Sequence, residues 1–145
     1  MLKTRLLSVT AKMPCFMTKG AACADMFLPA DVTIPPMDTS KSLKDNIIKV
    51  QLNVAFDIPS GFKIVMYPRS SLLVKFGIIQ PTSIIDADYS GMEIHAPLYN
   101  ATDKPVTLKA GDRVAQIELQ PYTRVLDWKF ESNERTGGFG STGEN

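Results

Sequence analysis

The stretch that decides the fold runs Ile48-Lys49-Val50-Gln51-Leu52-Asn53-Val54-Ala55-Phe56-Asp57-Ile58. Ile48, Val50, Leu52, Val54, Phe56 and Ile58 alternate with Lys49, Gln51, Asn53 and Asp57, the period-two pattern of a strand with one buried face. Pro59-Ser60-Gly61 then supplies turn chemistry, and Phe62, Ile64 and Met66 resume the alternation, so the two segments are expected to pair antiparallel. Outward from this pair, further short strands are expected around Ile94 to Asn100, Val106 to Leu108 and Arg113 to Leu119. Ten prolines and nine glycines punctuate the chain, and no window of a dozen residues carries a 3.6-residue apolar period. Only Ser70 to Phe76 reads as a helical piece, with Ser70 or Ser71 to cap it and Gly77 to end it. The pattern predicts an all-β, jelly-roll-like β-barrel with one short helix, a closure that also removes sheet edges. Pro35 to Asn46 is polar and reads as a surface loop. Residues 1–131 are assigned to the barrel and 132–145 to a flexible C-terminal arm.

Length and charge narrow the field. With 145 residues the chain is the size of one domain, able to bury roughly two-thirds of its unfolded surface. Sixteen basic and 15 acidic residues give a net charge of +1, with no basic stripe of the kind that neutralises a nucleic-acid backbone, so no nucleic-acid polymer is expected as partner. No apolar run approaches the ~20 residues of a membrane span, and Met1 to Leu7 lacks the apolar core and cleavage site of a signal peptide. A cytoplasmic or otherwise soluble intracellular protein without membrane association is expected. Cys15 and Cys23 lack C-x-x-C spacing and read as reduced thiols.

Four segments carry chemistry. Gly137-Gly138-Phe139-Gly140-Ser141-Thr142-Gly143 combines backbone freedom, two hydroxyls and an aromatic ring: its amides can approach anionic oxygens, and the ring can stack on a base. It is no Walker A loop, because Glu144 stands where the lysine belongs and no helix can follow. By composition alone a disordered tail is the better reading. Asp86-Ala87-Asp88-Tyr89, if extended, would put Asp86 and Asp88 on one face and Tyr89 on the other. Two mutually repelling carboxylates suit a general base for water or a divalent cation, although a hairpin turn with aspartates bonded to amides uses the same residues. Pro68-Arg69-Ser70-Ser71 joins a strand end to the short helix, where an arginine and two hydroxyls can meet a polyphosphate. Ala110-Gly111-Asp112-Arg113-Val114-Ala115-Gln116 reads as a turn and strand, and lone His95 as structural.

Taken together and in this order, Pro-Arg-Ser-Ser, Ile-Asp-x-Asp-Tyr-x-Gly, Gly-Asp-Arg-x-Ala-Gln and Gly-Gly-Phe-Gly-Ser-Thr-Gly resemble the motifs of the trimeric dUTPase family, from Ala22 to Gly143. The resemblance implies hydrolysis of dUTP to dUMP and pyrophosphate by a jelly-roll homotrimer whose active sites are shared between subunits. It implies Mg2+ as cofactor, held by Asp25 through water. Asp86 would be the base that activates water, and Tyr89 the ring beneath deoxyribose. Arg69 and Ser70, with Ser71 beside them, would contact phosphate, as would Gln116. Phe139 would stack on uracil, with Arg135, Gly140, Ser141 and Thr142 on the phosphates in an arm that closes over the site. The hairpin containing Ser83, Ile85 and Met92 would read the uracil edge through its main chain.

The chain departs from the family pattern in four places. Cys23 and Ser83 stand where glycine is usual, which implies altered backbone near Asp25 and in the base-reading hairpin. One extra residue between Tyr89 and Asn100, with Pro97 in the strand, predicts a bulge there. A single residue separates Arg135 from Gly137 where two are common, which alters the reach of Arg135. Two alternatives are carried: a dCTP deaminase-like enzyme of the same fold, and a regulatory protein that binds nucleotide as a signal.

Overall fold

A computed structural model of the chain describes residues 1–125 and 127–129. Ten strands dominate: β1 Lys3–Leu6, β2 Ala24–Phe27, β3 Val32–Ile34, β4 Ile48–Asp57, β5 Phe62–Pro68, β6 Ile78–Ile79, β7 Ser83–Ile85, β8 Glu93–Asn100, β9 Val106–Leu108 and β10 Arg113–Pro121. They build two four-stranded sheets, ordered β1-β4-β8-β6 and β2-β10-β5-β7, and a β3-β9 ribbon. Alternation is cleanest in β8, where Ile94, Ala96 and Leu98 are buried and the intervening residues half-buried. Their side chains meet Leu52, Val54 and Phe56 of β4 and Ile64, Met66 and Val114 of the other sheet in one continuous core. Each such burial is worth about 1.5–3 kcal/mol, which makes the facing of the two sheets the main source of stability. The all-β jelly-roll architecture agrees with the sequence expectation.

The 48–58 strand forms, but it does not pair with 62–66. β4 lies between β1 and β8, whereas β5 lies between β10 and β7 in the opposite sheet. The turn chemistry explains the difference. Phe62 N–H bonds to Pro59 C=O at 3.1 Å, with Gly61 at φ 82 in the third position, which is the arrangement of a type II turn. Tight hairpins require the mirror-image turns, because types I and II splay the strands. Here the splayed strands enter different sheets and face one another across the core.

The expected bulge also moves. Pro97 sits in register opposite Lys49, on a part of β8 beyond the reach of β6, whose pairing ends at Tyr99; an edge position of this kind tolerates proline. The irregularity falls in the partner strand, between Gln51 and Ala55. There Asn53 adopts φ 53, its amide accepted by the Glu93 carboxylate at 3.1 Å. Asn53 is the one non-glycine among the described residues in the left-handed region, so neither Cys23 nor Ser83 stands on backbone that requires glycine.

Two short helices appear, α1 Leu43–Asn46 and α2 Ser70–Phe76. α1 is a single turn within the polar 35–46 excursion, which is folded back on itself where Asn46 Oδ1 accepts Asp38 N–H at 2.7 Å. α2 has the expected bounds and ends at Gly77, φ 64, where an added Cβ would run into the Thr102 methyl. Its N-cap is Arg69 rather than Ser70 or Ser71, and no side chain caps it, because a guanidinium has no acceptor to offer the free N–H groups. No helix among the described residues is long and apolar enough to cross a membrane.

Candidate active site

Asp25 anchors the first half of the site. β10 pairs with β2 so that Gln116 lies opposite Asp25, and with β5 so that Gln116 lies opposite Tyr67. Backbone bonds to Cys15 hold Asp25 from its other side, at 2.8 and 3.1 Å. The residue is 8% exposed, and both carboxylate oxygens meet guanidinium groups: Oδ1 receives Arg69 Nε at 2.9 Å and Oδ2 receives Arg113 Nη1 at 3.1 Å. Arg69 Nη1 also donates to the Arg113 carbonyl at 2.8 Å, and Gln116 Nε2 donates to the Pro68 carbonyl at 3.1 Å. A buried carboxylate is tolerated when paired and hydrogen-bonded in this way. Arg69, Ser71, Lys75 and Arg113 line a cleft of about 230 Å³ beside the anchor, with Ser70 exposed at the start of α2. Three cations, two of them shared with Asp25, and the Ser70 and Ser71 hydroxyls suit an anionic ligand, against the single carboxylate of Asp112 in the lining.

The turn that presents Arg113 is tied to the β2–β3 connection. Gly111 N–H bonds to Leu28 C=O at 2.8 Å, and Leu28 N–H to Asp112 C=O at 2.9 Å. Asp31 accepts Lys109 Nζ at 2.8 Å and Ala110 N–H at 2.9 Å. Sequence reasoning placed Arg113 in a motif that looked structural alone; its pairing with Asp25, 88 residues away, becomes visible only once β10 lies beside β2. Near the same anchor, burial pushes the Cys23 thiol up, and the carboxylates of Glu118 and Asp25 push it the same way. Cys15 and Cys23 are both free thiols.

The second half of the site follows β7. Ser83, Ile84 and Ile85 pair with Met66, Val65 and Ile64, and Asp86 comes immediately after. The expected extended run does not continue: Ala87–Tyr89 form a 3-10 turn with Asp86 at its N-cap, so Asp86 and Asp88 do not alternate on a strand face. The cause is local, since Tyr89 N–H closes on the Asp86 carbonyl at 3.0 Å and Gly91, at φ 82, turns the chain into β8. Tyr89 is buried with its hydroxyl on the Glu93 carbonyl at 3.0 Å. Ile85 lies in the core, where it can offer a ligand only backbone, and Met92, partly buried, packs against that core. Asp86 and Asp88 open onto a cleft of about 610 Å³, walled by Lys63, Tyr122, Arg124 and Trp128, residues the sequence reading did not single out.

The structure therefore gathers Asp25, Arg69, Ser70, Ser71 and Gln116 at one end of β5, and Ser83, Ile85, Asp86, Tyr89 and Met92 around β7. Lys63, the β5 neighbour of Asp86, and Arg69 are six residues apart along an extended strand, about 20 Å at ~3.3 Å per residue. Arg135, Phe139, Gly140, Ser141 and Thr142, and the 131/132 boundary of the arm, lie outside the described residues.

A single carboxylate with both oxygens in guanidinium contacts is no cage for a cation, and among the described residues no three His, Cys, Asp or Glu side chains come together. Asp25 is therefore a residue that could meet a hydrated Mg2+ only through the ion's own waters.

A jelly roll with a cation-lined cleft at one strand end and Asp86 beside another suits one class in particular: β-barrel proteins that bind polyphosphates. Within that class, the dUTPase family profile matches residues 10–143, and the chain belongs to this family. The deoxyuridine 5'-triphosphate nucleotidohydrolase of Saccharomyces cerevisiae is 37% identical, over 98% of this chain and 94% of its own. That of Desulfotalea psychrophila is 38% identical over 92% and 89%, and that of Paramecium bursaria Chlorella virus 1 is 34% identical over 98% and 97%. Among solved structures, the dUTPase of Staphylococcus bacteriophage 80alpha superposes with a TM-score of 0.76 at 22% identity, covering 93% of this chain and 99% of that one. A dUTPase variant from phage phi11 of S. aureus, described with a structural Mg(II) ion, gives 0.74 at 23% identity over 92% and 98%.

Proposed function

We propose that this chain hydrolyses dUTP to dUMP and pyrophosphate. Asp86 takes a proton from a water molecule whose oxygen attacks the α-phosphorus. As that bond forms, the bond from the α-phosphorus to the bridging oxygen breaks and pyrophosphate leaves. Arg69, Ser70, Ser71 and Gln116 bind the phosphates, and Asp25, which orients Arg69, would hold a Mg2+ through water. That ion supplies charge neutralisation at the phosphates when bound. Main-chain groups of Ser83, Ile85 and Met92 read the uracil edge, and Tyr89 packs beneath the sugar. Arg135, Phe139, Gly140, Ser141 and Thr142 complete the site from the C-terminal arm, which excludes bulk water as it closes.

The observation that carries this reading is the separation of its halves. A backbone separation of ~20 Å between Asp86 and the phosphate anchor supports a site assembled from Asp86 of one copy and the Asp25–Arg69 anchor of another, in a homotrimer. The chemistry is tested by pyrophosphate release from dUTP, dTTP, dCTP and UTP, each with magnesium and with chelator. Release from dUTP, little from the other three, and loss with chelator is the expected pattern. Ammonia release from dCTP would assign a deaminase instead, and tight dUTP binding without turnover a signalling role.

A further inference from the structure

We propose that Ser90 is the positioning residue for the Asp86 turn, an inference that rests on the assignment of Asp86 as base. Asp86 follows a strand of only three residues at the edge of its sheet, and precedes a 3-10 turn of three residues. Neither element is stiff: the edge strand pairs on one side alone, and short 3-10 turns have poorer hydrogen-bond geometry than α-helix. What fixes the far end of the turn belongs to the opposite sheet. The Ser90 hydroxyl accepts Ile58 N–H, just past the end of β4, at 2.9 Å and donates to the Ala87 carbonyl at 2.6 Å. The Ile58 carbonyl lies at 3.4 Å from the same oxygen, and Gly91 N–H bonds to the Phe56 carbonyl at 2.9 Å. One hydroxyl thus spans the two sheets and adds to the backbone bond by which Ser90 N–H closes the turn on the Ala87 carbonyl at 3.2 Å, a bond that an alanine keeps.

An alanine at this position removes the acceptor of Ile58 N–H and the side-chain donor to Ala87. It leaves Gly91 on Phe56 and the Tyr89 hydroxyl on Glu93, so the hairpin keeps its place while its tip loosens. A base misplaced by a fraction of an ångström to an ångström loses rate without losing ligand contacts.

Three readouts test the role. Ser90→Ala is expected to lower kcat for dUTP by about tenfold to a hundredfold with KM within about twofold. In an Asp86→Asn background the same substitution is expected to lower residual turnover no further, because Ser90 acts through that carboxylate. Amide exchange at Ile58, followed without substrate, is expected to quicken at least about tenfold, with the β8 amides unchanged. Ser90→Thr, which keeps the hydroxyl, is expected to restore both kcat and protection. Unchanged kcat and exchange in Ser90→Ala, an equal loss in both backgrounds, or a threonine variant as impaired as alanine overturns the proposal. Absence of dUTP turnover in the wild-type protein would instead remove the assigned activity, while the exchange measurement would still judge the clamp.

Discussion

Asp25 shows how much a residue's neighbours decide. In the sequence it is one acidic residue after a run of alanines, legible only through the motif order; in the fold its oxygens join Arg69 and Arg113 from two other strands' ends. Removing one partner from a buried ion pair leaves charge uncompensated, at about 3–5 kcal/mol. Asp25→Ala is therefore expected to lower the urea-extrapolated stability by about 3 kcal/mol, the lower bound reflecting the partial exposure of Arg113. A loss below about 1 kcal/mol, the level of a surface pair, would show that the anchor is not electrostatically built. Arg113 was hidden in the sequence because its Gly-Asp-Arg context is ordinary turn chemistry. The Asp86–Asp88 spacing misled for the opposite reason: it fits an extended strand, but Tyr89 N–H finds a nearer acceptor on Asp86.

At the scale of elements, apolar periodicity recovered five of the ten strands, and the antiparallel pairing expected for 48–58 with 62–66 was wrong. Val50, Leu52, Val54 and Phe56 name a buried face but not the sheet that covers it. The 59–62 turn, rightly placed, crosses between sheets because its hand splays strands. α2 was readable because Gly77 ends it. The Asp31–Lys109 clasp was not, since its partners are 78 residues apart. The Lys109 ammonium and then the Ala110 N–H hold the Asp31 carboxyl below its ordinary range, and Asp31 holds the Lys109 ammonium above its own. A lowered carboxyl stabilises the fold fully above its unfolded value and loses that contribution as pH falls through the folded one. A raised ammonium stabilises below its unfolded value and loses the contribution as pH rises through the folded one. With unfolded values of about 3.9 and 10.4, the urea-midpoint difference between wild type and Asp31→Asn is expected to be flat from about pH 5 to 9. It is expected to narrow below about pH 4 and above about pH 11, and to shrink with salt because both side chains are more than half exposed. A difference that widened on acidification would contradict the clasp.

For the whole molecule, the architecture was legible because a 145-residue chain with many short strands, ten prolines and no helical period has few alternatives to a closed β fold. Family membership was legible in the order of the motifs. What no pattern in one chain displays is the distance between them: Arg69 and Asp86 are 17 positions apart in sequence yet lie toward opposite ends of β5. The proposed trimer turns that separation into a working site by supplying each half from a different copy.

Subunit complementation tests this most directly. Asp86→Asn and Arg69→Ala chains are each expected to be inactive toward dUTP as homo-oligomers. Refolded together in equal amounts, they are expected to regain about a quarter of the wild-type rate of pyrophosphate release, the share of sites that draw an intact Asp86 and an intact Arg69 from different copies. A mixture no more active than the single variants would contradict a site built between subunits.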